Sequence, residues 1–327
     1  MIVTFTPNPS LDRTVTLPGP LLRGAVNRLT SVRLEAGGKG VNVARVLAAS
    51  GEAVTTLLPA SSHDPILPAI ADLGLDILTC RPVPVRGAAR VNTAVTEPDG
   101  TTTKLNEAGA GLSEAEIANV EAALLEVLAP ATGDSESWAV LSGSLPPGAP
   151  TDWYVRLVSL LRPLGVHIAV DTSAAPLAAL ASALPGSAPD LIKPNGEELA
   201  QLAGRGATDL EDGAIAGELT PVVEAAQVLV NLGIGAVMAT LGPAGAVLVT
   251  ADGAWHASAP KIQVQSTVGA GDSSVAGYVL AAVRGGDEAE RLRTAMAYGS
   301  AAASLPGTTL PTPADLPEQA AVVTRLS

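Results

Sequence analysis

From about residue 113 onward, helical and extended patterns take turns along the chain, and that alternation restricts the fold more than any other feature. Ser113 and Glu116 have the spacing of a capping box, and Ile117, Val120, Leu124, Leu125 and Leu128 follow at helical intervals. The apolar run Trp138-Ala139-Val140-Leu141 predicts a buried strand. A helix near 151–163, the strand Val166–Val170 and a short strand at Leu191-Ile192 come next. Right-handed crossovers turn such a series into a mostly parallel sheet with helices on both faces, and ligands then gather beyond the carboxyl ends of the strands. With aromatic residues at only 2%, Ala, Val and Leu have to fill that interior.

Two N-terminal stretches break the rhythm. Residues 13–34 contain Arg, Pro and Gly with short alternation, and 86–106 reads as a hairpin, Arg90–Glu97 and Thr101–Leu105, turning at Pro98-Asp99-Gly100. Strands inserted between βαβ units form small separate sheets, so 13–34 and 86–106 are expected to make one β lid. The main α/β domain is then 1–12, 35–85 and 107–327. No internal repeat is evident, and the Pro-rich 305–317 reads as a surface connection before a final short helix.

Charge excludes some partners. The balance, 19 − 32 = −13, has the wrong sign for neutralising nucleic-acid phosphates, and base-stacking aromatics are scarce. His63, His167 and His256 are far apart and Cys80 is alone, so neither a zinc cluster nor a disulfide framework is expected, and a reducing, cytoplasmic compartment fits. Neither a membrane span nor a secretory signal is evident. Of the 19 basic residues only four are lysines, Lys39, Lys104, Lys193 and Lys261, which marks them as candidates where a compact, mobile ammonium is wanted.

Ser266–Ser274, running into a helical pattern, is the most informative stretch. Gly269, Ala270 and Gly271 let backbone amides turn toward one point at a helix N-terminus, where an anion is expected. Asp272 beside a bound phosphate makes sense as a base that takes a proton from an attacking hydroxyl; the plainer alternative is a helix N-cap. A second cluster, Gly37-Gly38-Lys39-Gly40-Val41-Asn42, also enters a helix and suits a phosphorylated polyol, although a plain turn is as compatible with its spacing. It is not a P-loop. Lys193-Pro194-Asn195-Gly196-Glu197-Glu198 follows a strand; Asn195 and Glu198 form a capping-box pattern or hold Mg2+ through water. Thr240, Gly242 and Gly245 follow a strand at 236–239 and either border a nucleotide or form a hairpin turn.

In this order and spacing, the segments at 37–45, 142–146, 193–198 and 268–273 resemble those of the ribokinase-like (PfkB) carbohydrate kinases, over roughly residues 1–310. Asn8–Asp12, Val26–Arg28 and Thr103–Glu107 are most similar to the branch acting on sugar phosphates. The resemblance implies transfer of the ATP γ-phosphoryl group to C6 of fructose 1-phosphate, giving fructose 1,6-bisphosphate. It makes Asp272 the general base and the Gly269, Ala270 and Gly271 amides an anion hole. Lys193, Asn195, Thr240, Gly242 and Gly245 would meet the nucleotide, and Asn195 with Glu198 would organise Mg2+. Asp12, Gly37, Gly38, Asn42, Asn106 and Ser142 would line the sugar, with Lys39, Arg28, Arg90 and Lys104 for its phosphate. Lid pairing with a second subunit would protect the exposed sheet edge, giving a homodimer.

Glu107-Ala108-Gly109-Ala110 lacks prolines common in that branch, and Pro59–Asp64 replaces a double-glycine loop. A ketohexose furanose carries a CH2–O group at each end, so fructose 6-phosphate or tagatose 6-phosphate, bound in reverse, are alternative substrates. A non-catalytic sugar-phosphate sensor is a rival of another class, and a dinucleotide oxidoreductase is disfavoured because Gly-x-Gly-x-x-Gly spacing is absent at 37–40.

Overall fold

Pairing of extended segments builds one large and one small sheet in the computed structural model, which describes residues 1–133, 136–205 and 210–327. The first half contains β1 (Ile2–Phe5), β2 (Ser10–Thr16), β3 (Ser31–Gly37), α1 (Lys39–Ala49), β4 (Val54–Ala60), α2 (Ile66–Ala71), β5 (Leu78–Pro84), β6 (Arg90–Thr96), β7 (Thr102–Asn106) and α3 (Glu114–Leu128). Then come β8 (Trp138–Ser142), α4 (Trp153–Leu161), β9 (His167–Asp171), α5 (Ala174–Ser182), β10 (Leu191–Ile192), α6 (Gly196–Leu202), α7 (Leu210–Ile215) and α8 (Thr220–Asn231). The chain ends with β11 (Ala236–Thr240), β12 (Ala246–Thr250), β13 (Gly253–Ala257), α9 (Ala270–Val283), α10 (Glu288–Ala303) and β14 (Val323–Arg325).

The large sheet runs β14-β13-β12-β11-β10-β9-β8-β1-β4-β5, parallel from β11 to β5 and antiparallel at its β12–β14 edge. From β1 the chain first builds outward through β4 and β5, then returns to build β8 through β11 on the other side. That reversal opens a crevice at the carboxyl ends of β1 and β8, where an α/β sheet binds its ligand.

Both faces of the sheet are covered. Along β8, Ala139 and Leu141 pack with side chains of α3, α4 and α8, whereas Trp138 and Val140 pack with those of α1, α9 and α10. Double coverage explains why β8 reads as a continuous apolar run instead of an alternating one. Phe5 and Trp153 meet edge to face at 5.6 Å, a rare aromatic contact in an aliphatic interior. The Ser113–Glu116 capping box is formed at the start of α3. Among the described residues no helix is long and apolar enough to cross a membrane.

The C-terminus differs from the expected helix: a 3-10 turn at Pro313–Asp315 is followed by β14, which pairs antiparallel with β13. The β-branched Val323 and Thr324 find the otherwise open edge of the sheet, and pairing there outweighs a short, weakly amphipathic helix.

The small sheet has the order β3-β2-β6-β7. Its first two strands start at Ser10 and end at Gly37, three residues beyond each end of 13–34, because pairing continues down to Ser10↔Gly37. Period-2 alternation with the observed register separates its faces. Asp12, Glu35, Asn92 and Asn106 are partners across the strands, and Ser10, Arg90 and Lys104 share that face. Leu11, Leu34, Val15, Val32, Val95 and Leu105 alternate onto the other. Leu11 and Ala36, at its root, pack with Ile66 and Ile70 of α2.

Candidate active site

The site begins with the turn into α9. Gly269 adopts φ 77°, a left-handed conformation that glycine adopts without strain, and its carbonyl accepts the Ser273 amide at 2.8 Å. First-turn amides have no partner within a helix, so those of Gly271 and Asp272 are left as donors at the start of α9. Asp272 is buried and makes no cap; Gly269 holds the N-cap position, so the capping alternative for Asp272 does not apply. The Asp272 Oδ2 accepts a hydrogen bond from Asn42 Nδ2 at 2.8 Å. Asn42 lies on α1, whose N-cap, Gly38, has φ 107°. The two glycine-rich elements, 230 positions apart, thus deliver their helix starts to one point.

Lys39 opens α1, and its Nζ donates to both oxygens of Asp171 at 3.2 Å. Lys193, just past β10, lies 3.6 Å from Asp171 Oδ1. A Cβ on Gly271 would come within 3.0 Å of the Lys193 ammonium, so Lys193 borders the turn into α9. Lys39, a candidate for the sugar phosphate, stands in a cluster of alternating charge with Asp171, Lys193 and Asp272 and keeps part of its side chain exposed.

Burial pushes the Asp272 carboxyl up to about 6; the Lys39 charge pulls against it, and the Asp171 charge adds to it. Burial would also raise Asp171, but Lys193 and Lys39 override it and hold that carboxyl below its ordinary value. For Lys39, burial favours the neutral amine, yet Asp171 and Asp272 keep the ammonium proton on more tightly than usual. The result is a carboxylate able to take a proton near neutrality, next to two fixed cations.

The polar face of the small sheet holds a second group of candidate residues. Asp12 Oδ1 accepts from Ser10 Oγ at 2.9 Å and from Asn92 Nδ2 at 3.2 Å. Gly37 sits against the Asp12 carboxylate. Arg90 donates to the Glu107 carbonyl at 3.2 Å and to Ser144 Oγ at 3.3 Å, while its Nε is buried without a partner. Lys104 and Asn106 are exposed on the same face. Ser142, expected to touch substrate, is fully buried beneath the surface, and Ser144 carries the accessible hydroxyl two residues on. Arg28 does not join the group: it is exposed in the loop beyond Thr16, at the far end of β2 from Ser10.

On the opposite side of Gly271 lies a cavity of about 660 Å3, walled by Thr240, Gly242 and Gly245, by Lys261, and by Gly299 and Ser300 of α10. The 240–245 segment is the β11–β12 hairpin turn, and that turn forms one wall of the cavity. Among the described residues its lining is aliphatic and polar, with Ile262, Val264 and Met296 as its larger apolar side chains. Asn195 and Glu198 form both halves of a capping box on α6, and Asn195 bridges to Thr240 at the cavity rim. Glu198 still acts on the cluster, because its charge contributes to holding the Lys39 proton.

Ser144 lies in the 142–146 segment that the sequence marks, whereas Asp171, Asn92 and the small residues of α10 carry no motif that assigns them to the site. Asp171 had one signal, its place at the carboxyl end of the predicted 166–170 strand.

Comparison with known proteins identifies the family. Residues 8–315 match the pfkB family of carbohydrate kinases. The chain is 40% identical over 326 residues to the 1-phosphofructokinase of Rhodobacter capsulatus, covering 99% of this chain and 96% of that one. It is 34% identical over 313 residues to the ATP-dependent 6-phosphofructokinase isozyme 2 of Escherichia coli K12, covering 94% of each. The crystal structure of Escherichia coli phosphofructokinase-2 in complex with substrates and products matches with a TM-score of 0.83 at 32% identity over 96% of each chain. Four motifs in order, the sheet reversal that joins them and similarity along the whole length point the same way, and the chain belongs to the pfkB family of carbohydrate kinases.

Proposed function

We propose that this kinase transfers the γ-phosphoryl group of ATP to C6 of fructose 1-phosphate, forming fructose 1,6-bisphosphate. The observation that carries the reading is the buried Asp272 held by Asn42 at the start of α1, with Asp12, Arg90 and Lys104 on the polar face of the small sheet that leads into the same helix. The C6 hydroxyl gives its proton to Asp272 as its oxygen bonds to the γ-phosphorus, and the bond to the ADP oxygen breaks. The Gly269–Gly271 amides and Lys193 meet the charge that develops on the transferred group. Asn42 keeps the Asp272 carboxylate turned toward the acceptor.

Fructose 1-phosphate is preferred over its rivals by similarity to the Rhodobacter relative. The isozyme 2 relative keeps fructose 6-phosphate as the second reading, with the same product made from the other end of the sugar. A parallel kinetic comparison of fructose 1-phosphate, fructose 6-phosphate and tagatose 6-phosphate tests this. The first should have the highest kcat/KM, and a preference for either 6-phosphate would overturn the substrate assignment. A sensor that only bound sugar would not need Asp272 or the glycine turn, and both are intact.

The donor set suits Mg2+: Glu198 Oε2 accepts the Asn195 amide, which leaves Oε1 as one hard oxygen for an ion otherwise surrounded by water and phosphate. Bound there, Mg2+ would neutralise nucleotide phosphate charge. Glu198→Gln should raise the Mg2+ concentration for half-maximal rate several-fold. A lower Tm with unchanged Mg2+ dependence would assign Glu198 to capping alone.

A homodimer through the small sheet completes the proposal. Val32, Leu34, Leu105, Leu22 and Val26 expose apolar surface there, and the edges of β3 and β7 are unpaired among the described residues. Seven strand residues separate Arg28 from the root of its own small sheet by about 20 Å, so Arg28 meets a sugar phosphate from the second copy. Leu34→Asp should give a monomer by sedimentation and raise the KM for sugar phosphate more than for ATP; an unchanged dimer would place the interface elsewhere.

A further inference from the structure

We infer that Asp171 is a positioning residue, whose buried carboxylate clamps Lys39 and Lys193 side by side at the floor of the transfer site and sets the charge against which Asp272 works. The inference rests on the assignment of Asp272 as base. Three elements that are distant in sequence meet here: Lys39 begins α1, Asp171 ends β9 and Lys193 follows β10. Asp171 is 3% exposed and Lys193 9%, while Lys39 faces the cleft. A buried carboxylate is costly unless charge and hydrogen bonds match it, and here both lysines do so, with Lys39 engaging both oxygens.

The arrangement has a kinetic purpose. A lysine stem is flexible, and two ammonium groups near one anion site repel each other when dry. A carboxylate between them removes the repulsion and fixes both stems before the nucleotide arrives, so little reorganisation remains for the transition state. Asp171 also faces Asp272. The charged groups around Asp272 are Lys39 from α1, Asp171 from β9 and Lys193 beyond β10, with Glu198 of α6 acting on Lys39 and Asn42 donating a hydrogen bond. The two cations favour the Asp272 carboxylate and Asp171 disfavours it, so removing one sign or the other has opposite consequences.

The test is the pH dependence of kcat at saturating ATP, Mg2+ and sugar phosphate for wild type, Asp171→Asn and Lys193→Met. Wild type should show an acid limb. Asp171→Asn should move that limb to lower pH by about 0.5–1 unit, with a plateau reduced about tenfold or more because both lysines lose their anchor. Lys193→Met should move it upward. Structural damage lowers the plateau without giving shifts of opposite sign. An unmoved or raised limb in Asp171→Asn overturns the inference, as does a raised Mg2+ requirement with the limb in place, which would put the carboxylate on the metal instead. If Asp171→Asn does not fold, an unmoved limb in Lys193→Met overturns it on its own. A wild type without any acid limb would remove Asp272 as base, and the inference with it.

Discussion

Asp272→Asn should lower kcat by a factor on the order of 10² to 10⁴ and leave both KM values within a few-fold, the expected loss for a general base. Asparagine keeps the size of the side chain and its contact with Asn42, but it cannot take the acceptor proton. The same substitution should stabilise the protein. The Asp272 carboxyl lies near 6 in the folded chain against an ordinary 3.8, chiefly because it is buried. A carboxyl raised by folding contributes most to stability when protonated, so its contribution is intact below about pH 4 and is lost as the pH rises through about 6. Removing the ionisation should therefore make the variant more stable than wild type at neutral pH, on the order of 1–3 kcal/mol, with the difference fading below about pH 4. Chemical denaturation at pH 7.5 and pH 4 gives the comparison. Near-normal kcat, or a variant less stable at neutral pH, would show that Asp272 is neither the base nor a strained carboxylate.

Arg90→Ala should raise the KM for sugar phosphate by about ten- to a hundredfold and leave the KM for ATP nearly unchanged, since one charge-assisted contact of roughly 1.5–3 kcal/mol is removed. The hydrogen-bond partners of Arg90 are neutral oxygens, the Glu107 carbonyl and the Ser144 hydroxyl, and its Nε is buried without any partner. A phosphate reaching this side chain would supply the negative charge that those partners lack. Arg90 also ties the small sheet to the loop after β8, so closure over the sugar and recognition of its phosphate share one side chain. Equal effects on both substrates would make the contact structural.

Local chemistry was readable along the chain because its causes lie within a few residues. Ser113 and Glu116 cap α3 as their spacing requires, Gly269 supplies the left-handed turn before α9, and Pro98-Asp99-Gly100 turns the β6–β7 hairpin. Motifs that combine a turn, a helix start and one charged side chain are local in the same way, so Asp272, Asn42, Lys193 and the glycines at 242 and 245 are legible as candidates in the sequence.

Contacts between elements were another matter. Asp171 is one aspartate among many until β9 and β10 become neighbours and α1 brings Lys39 across 132 positions to its carboxylate. Ser142 and Ser144 differ by two residues, yet the strand buries the first and the loop exposes the second. Val323 and Thr324 formed a strand because β13 offered an open edge. By itself the sequence determined the turns, the helix starts, the alternation that makes a parallel sheet and the residues with chemistry to perform. Only the tertiary structure decided which charges share a buried site, because burial and pairing energies depend on what surrounds a group in space, and in a parallel sheet each neighbour arrives through a long crossover.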